Sequence, residues 1–65
     1  MKKTLRQIRR EKDITQEELA KITGITDRSI SLYENDIEAL KSASYKTIEK
    51  LAIALDVKIS DIYLG

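Results

Sequence analysis

The sequence contains no cysteine and no histidine. Disulfides and a Cys/His zinc site are excluded, and with them the commonest nucleophile and the commonest general base of enzyme active sites. Proline, tryptophan and phenylalanine are also missing, and the three aromatic side chains are all tyrosines. That is too few for a platform on which single-stranded bases stack. The only glycines are Gly24 and Gly65, so there is no glycine-rich phosphate loop. No apolar run approaches the ~18 residues of a membrane span. Behind the basic first residues, Leu5 and Ile8 alternate with charges instead of forming a signal-peptide core. These absences lead to the expectation of a cytoplasmic protein that is not an enzyme and carries no metal or cofactor.

What remains is 65 residues, enough for one domain spanning 1–65. A chain this short buries only about 60% of the surface its unfolded form exposes. Stability must come from helix packing, helix caps or a partner chain. The formal net charge is only +1, yet Lys2, Lys3, Arg6, Arg9, Arg10 and Lys12 crowd the first twelve residues against Glu11 alone. Such a cluster is either a solvated helix face or a face that tracks phosphates.

The apolar periodicity is helical throughout and predicts an all-α fold of five short helices. The first runs from about Lys2 to Lys12, with Leu5 and Ile8 on one face. Thr15-Gln16-Glu17-Glu18 reads as a capping box opening the second, whose inward stripe is Leu19, Ala20 and Thr23 with Ile22 beside it. Gly24 suits a sharp turn with positive φ. Thr26 then starts a third helix, with Ile25 and Ile30 placed as a hydrophobic staple and Ile30 and Tyr33 on the buried side. Asn35 to Ser44 reads as a connection, unusually apolar at Ile37, Ala39 and Leu40, so that part of it is suited to a helical turn. Ser44 caps a helix in which Ile48, Leu51, Ala52 and Leu55 keep i, i+3, i+4, i+7 spacing. Asp56-Val57-Lys58 breaks it, and Ile59 to Leu64 forms a last short helix.

Two of these helices, joined by Thr23-Gly24-Ile25, make a helix-turn-helix, with small Ala20 where the axes approach. The outer face of the Thr26–Glu34 helix becomes a rigid probe that a major groove about 12 Å wide accepts. The stretches Ile14-Thr15-Gln16-Glu17-Glu18-Leu19-Ala20, Thr23-Gly24-Ile25-Thr26 and Ile30-Ser31-Leu32-Tyr33-Glu34-Asn35 resemble the Cro/repressor (XRE) helix-turn-helix family, as does Leu51-Ala52-Ile53-Ala54-Leu55-Asp56-Val57. The resemblance implies a lambda-repressor-like fold and a transcriptional regulator, a repressor, bound to double-stranded DNA. It implies base contacts from Asp27, Arg28, Ser31 and Leu32, and phosphate contacts from Gln16 and Asn35, with Ser29 placed beside them. It also implies an internal ion pair between Arg9 and Glu34. The sequence departs from the family pattern at Asp36, where glycine is usual, at the apolar Ile37–Leu40 loop, and at Lys58, where a Ser or Thr cap is usual.

Each residue type has its chemistry. Arg28 either donates twice to guanine O6 and N7 or meets a phosphate, unless it is a plain surface arginine. Asp27 either accepts from cytosine N4 or serves only the positive end of the helix dipole. Leu32 is suited to a thymine methyl. Tyr33 belongs to the core. The Arg9–Glu34 pair, taken as a surface pair, is worth only ~0–1 kcal/mol. The resemblance further implies a homodimer on a pseudo-palindromic operator. Its interface is expected at Ile59, Ile62, Tyr63 and Leu64, unless Ile59 and Ile62 instead close the monomer core. Two other readings remain open: an antitoxin or immunity-type protein that also binds a protein through the Ile37–Leu40 loop, and an interaction domain that has lost DNA binding.

Overall fold

Short hydroxyl and carboxylate side chains set where the helices begin. In the computed structural model, which describes residues 2–65, five α-helices each start beside such a cap: α1 (Leu5–Glu11), α2 (Gln16–Thr23), α3 (Asp27–Asn35), α4 (Ile37–Ser42) and α5 (Tyr45–Ala54). Thr4, Thr15, Thr26, Asp36 and Ser44 accept from backbone N–H groups of the first turn that have no partner inside the helix. At α1 and α2 the arrangement is reciprocal, because Gln7 and Glu18 reach back to the cap N–H.

The ends are equally local. Gly24 terminates α2 in the left-handed region at φ 76°, and Asp13 and Asp56 do the same after α1 and α5 at φ 59° and 56°. Aspartate tolerates this conformation because its short side chain is polar and unbranched. The chain then folds back, with Ile14 N–H donating to the Arg9 carbonyl at 3.2 Å and Val57 N–H to that of Ala52 at 3.0 Å.

The buried faces meet in one core formed by Leu5 and Ile8 of α1, Leu19 of α2, Ile30 of α3, Leu40 of α4, Ile48, Leu51 and Ala52 of α5, and beyond it Leu55 and Ile62. Helix α3 lies at the centre of this packing, against α1, α2 and α4, while α5 closes on α2.

The all-α, five-helix architecture agrees with the periodicity, but two segments differ from expectation. The connection after Asn35 is itself helix α4, because Asp36 caps it and Leu40 gives it an anchor in the core. The stretch from Ile59 is not an α-helix. It makes one 3₁₀ turn, Ile59–Asp61, and then extends. Asp61 accepts from the Lys58 N–H at 3.0 Å, and Lys3 then takes the backbone groups that a continuing helix would need. Lys3 N–H donates to the Asp61 carbonyl at 3.2 Å, and the Lys3 carbonyl accepts from Tyr63 N–H at 2.7 Å, a parallel bridge between residues 3 and 62 that ties the start of the chain to its end. Helix α1 starts at Leu5, not Lys2, because Thr4 caps it. Ile22 points outward beside exposed Ile53, across a shallow groove that Thr23, Lys50 and Ala54 complete.

Candidate nucleic-acid interface

The turn between α2 and α3 is braced by hydroxyls. Thr23 Oγ1 donates to the Leu19 carbonyl at 2.7 Å and accepts from Ile25 N–H at 3.2 Å. Thr26 caps α3 by accepting from Ser29 N–H at 3.1 Å, and its own hydroxyl donates to Ser29 Oγ at 2.9 Å. Ile30 is fully buried, and Ile25 and Tyr33 pack against the core beside it. The opposite side of α3 is thereby fixed as an outward face.

Asp27, Arg28, Leu32 and Asn35 are exposed on that face and Ser31 partly so. Arg28, Ser31, Leu32 and Asn35 line one shallow depression. Four of the six residues expected near DNA on α3 are thus gathered, while Ser29 and Asp27 stand outside the depression, Asp27 in the first helical turn at the positive end of the dipole. Asn35 turns its amide nitrogen back onto its own helix, donating to the Ser31 carbonyl at 2.8 Å and to Ser31 Oγ at 3.3 Å. Ser29 is half-buried, its hydroxyl engaged by Thr26.

Gln16 opens α2 and is half-buried. Its Nε2 donates to Glu34 Oε1 at 3.0 Å, a link that sequence spacing did not suggest. An amide nitrogen has two hydrogens, so one remains for a phosphate. Glu34 also receives Arg9, with Nε 2.6 Å from Oε2 and Nη2 3.1 Å from Oε1, while Arg9 Nη1 donates to the Ile14 carbonyl at 2.8 Å. The expected ion pair is present, but it is not a surface pair: the side chains of Arg9 and Glu34 are only 11% and 1% exposed. The packing of α3 against α1 and α2 brings these residues together, and no local sequence signal announces it.

Glu18, three residues into the capping box, has its carboxyl held below the usual range. The bond from the Thr15 backbone N–H is the main cause, with the Thr15 hydroxyl next and Lys21 adding less. Of the basic cluster at the start of the chain, Lys3 is already ion-paired with Glu11.

The C-terminal stretch is distributed differently from a dimer surface made of four apolar side chains. Ile62 is 0% exposed and belongs to the monomer core, so it is not available to a second chain; Ile59 and Leu64 pack half-buried against that core, and only Tyr63, 44% exposed, stands clear. The bridge to Lys3 turns Ile62 inward, which corrects the expectation for that residue. The Ile37–Leu40 stretch is likewise no free apolar loop, since Leu40 is buried and Ile37 packs on the core.

A family model described as "Helix-turn-helix" matches residues 5–62 of this chain. The chain is similar to the SPbeta prophage-derived uncharacterized HTH-type transcriptional regulator YopS of Bacillus subtilis (strain 168), with 39% identity over 54 residues, covering 83% of this chain and 70% of that protein. No solved structure matches it.

Proposed function

This chain belongs to the helix-turn-helix family, and from that premise we propose that it regulates transcription by binding double-stranded DNA in a sequence-specific manner, with α3 in the major groove. The observation that carries the proposal is the division of α3 into two sides. Ile30 and Glu34 lock one side into the protein, and Arg28, Ser31 and Leu32 share one depression on the other. A probe must be rigid to read base edges, and this helix is anchored by both apolar burial and an ion pair. The named relative, a transcriptional regulator, supports the same reading.

The finer parts of the proposal follow from the physics of groove binding. Gln16 and the start of α2 meet a phosphate, which positions the probe without reading sequence. The mode of regulation is repression, since occupying a site is the effect that DNA binding achieves unaided. The protein works by binding and not by catalysis, and it works in the cytoplasm. Two copies bind a pseudo-palindromic operator with their α3 helices roughly 34–36 Å apart, because one short helix offers few base contacts. Exposed Tyr63, with its half-buried neighbour Leu64, is the surface assigned to that pairing. The antitoxin-type reading loses its motive, because the apolar stretch that suggested it is helix α4 with its leucine in the core.

Fluorescence anisotropy with labelled duplexes at low salt tests the proposal. Binding to a pool of duplexes, with a selectable preferred sequence, is expected. No binding to any duplex overturns it.

A further inference from the structure

We infer that the depression on α3 reads a guanine and a thymine lying within two base pairs of each other, the guanine through Arg28 and the thymine through Ser31 and Leu32 together. The inference rests on the DNA-binding reading above and adds to it which bases are recognised.

Hydrogen-bond polarity limits which base edges this depression can meet. Arg28 is a donor only. A serine hydroxyl can donate or accept, but the Ser31 oxygen already accepts from Asn35 Nδ2 at 3.3 Å. A helical serine or threonine often spends its hydrogen on the carbonyl one turn back. Thr23 does so, with Oγ1 2.7 Å from the Leu19 carbonyl, whereas among the described residues no such bond is made by Ser31. The Ser31 O–H is left to donate outward. Leu32 adjoins it on the same depression and is 52% exposed. From Arg28 to Leu32 the surface therefore offers donors and hydrocarbon.

In the major groove, cytosine presents an amino donor, which conflicts with a donor surface, and adenine sets its amino donor beside the N7 acceptor, so it satisfies only one arm of the arginine fork and offers no methyl to Leu32. Guanine presents two acceptors, O6 and N7, which match the arginine fork. Thymine alone sets an acceptor, O4, next to a methyl group, and that pair corresponds to Ser31 beside Leu32. The spacing agrees. Arg28 and Leu32 are one helical turn apart, about 6 Å along the axis, and successive base pairs are separated by about 3.4 Å. The two bases fall on adjoining or next-but-one pairs.

The test is selection of this chain's preferred site from random duplexes, followed by base analogues in the selected sequence. A half-site with guanine and thymine within two base pairs is expected. Replacing that thymine with deoxyuridine removes one methyl, and wild-type affinity should fall about fourfold. Leu32→Ala should bind both duplexes equally. Replacing the guanine with 7-deazaguanine should weaken wild type about tenfold and leave Arg28→Ala indifferent. The analogues change only the DNA, so the wild-type measurements stand even if a variant folds poorly. A selected site lacking either base, or wild-type indifference to both analogues, overturns the inference while DNA binding survives. Absence of duplex binding at low salt overturns the DNA-binding reading itself.

Discussion

Arg9 and Glu34, 25 residues apart in sequence, form a nearly buried ion pair with Nε 2.6 Å from Oε2. The pair also takes in the Gln16 amide and the Ile14 carbonyl, so α1, the start of α2 and the end of α3 are held as one unit. Burying two charges is costly, and the cost is recovered only when the geometry is good and the remaining polar atoms are satisfied. Both conditions hold, since among the described residues no buried side-chain nitrogen or oxygen lacks a partner.

Removing one member is therefore severe. Glu34→Ala strands the Arg9 guanidinium against the core and should cost about 3 kcal/mol, the low end for a broken buried pair because Arg9 keeps some exposure. A domain of this size has a total stability of only a few kcal/mol to about 10 kcal/mol. The midpoint of urea denaturation should drop accordingly. A loss below 1 kcal/mol would mean that the pair behaves as a surface pair.

The C-terminal residues should separate into two kinds. Ile62→Ala empties a fully buried site and should destabilise the fold by about 2–4 kcal/mol. Tyr63→Glu should leave the helical circular dichroism intact while lowering affinity for a full operator at least tenfold more than for a half-site. Full-site binding that survives this change, with light scattering still reporting a dimer, would move the interface elsewhere. The exposed Ile22 and Ile53 would then be the next place to look.

Affinity for duplex DNA should fall steeply with salt, at a slope of about 0.9 in log K per log salt for each phosphate neutralised. Gln16→Ala should weaken binding to every sequence alike and leave that slope unchanged, because an uncharged contact releases no counterion. A change in sequence preference on losing Gln16 would contradict its assignment to phosphate.

Glu18 gives the capping box of α2 a pH dependence. Its carboxyl is held lower in the folded chain than in the unfolded one, chiefly by the Thr15 N–H. Stabilisation of this sign is complete above the unfolded value and is lost as pH falls through the folded value. Denaturation midpoints taken from neutral to acid pH should decline through that window, and Glu18→Gln should flatten its share of the decline. Identical profiles for the two proteins would show that the carboxylate is not coupled to folding.

Asp56 ends α5 with φ 56°, a conformation that glycine adopts without penalty. Asp56→Gly should therefore raise stability, by about 0.5–1 kcal/mol net of the extra entropy of an unfolded glycine. A fall in thermal midpoint would show that the aspartate side chain contributes more than its backbone strain costs.

Much of this was legible in the chain itself, because much of it is local. Thr15 and Glu18, Thr26 and Ser29, Ser44 and Thr47 lie three residues apart, and capping needs nothing more distant. Gly24 could be read as a left-handed turn for the same reason. The outward face of α3, with Arg28, Ser31 and Leu32, followed from Ile30 and Tyr33 claiming the inward one. Local chemistry also misled where two outcomes were open. Ile37 and Leu40 belong equally to an apolar loop or to a short helix, and the space available for Leu40 in the core decided it.

The sequence by itself determined the class of fold, the capped starts of α2, α3 and α5, the left-handed stop at Gly24, and the composition of the probing face, since each depends on neighbours within about one helical turn. Only the tertiary structure decided that Glu34 gathers Arg9 and Gln16, that Asn35 spends its amide on Ser31, and that Lys3 claims the backbone on either side of Ile62. The Glu34 and Lys3 links join residues many positions apart, whose approach depends on how the helices pack. Asn35 and Ser31 are neighbours on one helix, but the Asn35 amide had a choice of partners that only the folded arrangement resolved. Packing also turned Ile62 inward and left Tyr63 outside, because after the 3₁₀ turn the chain runs extended and successive side chains point to opposite sides.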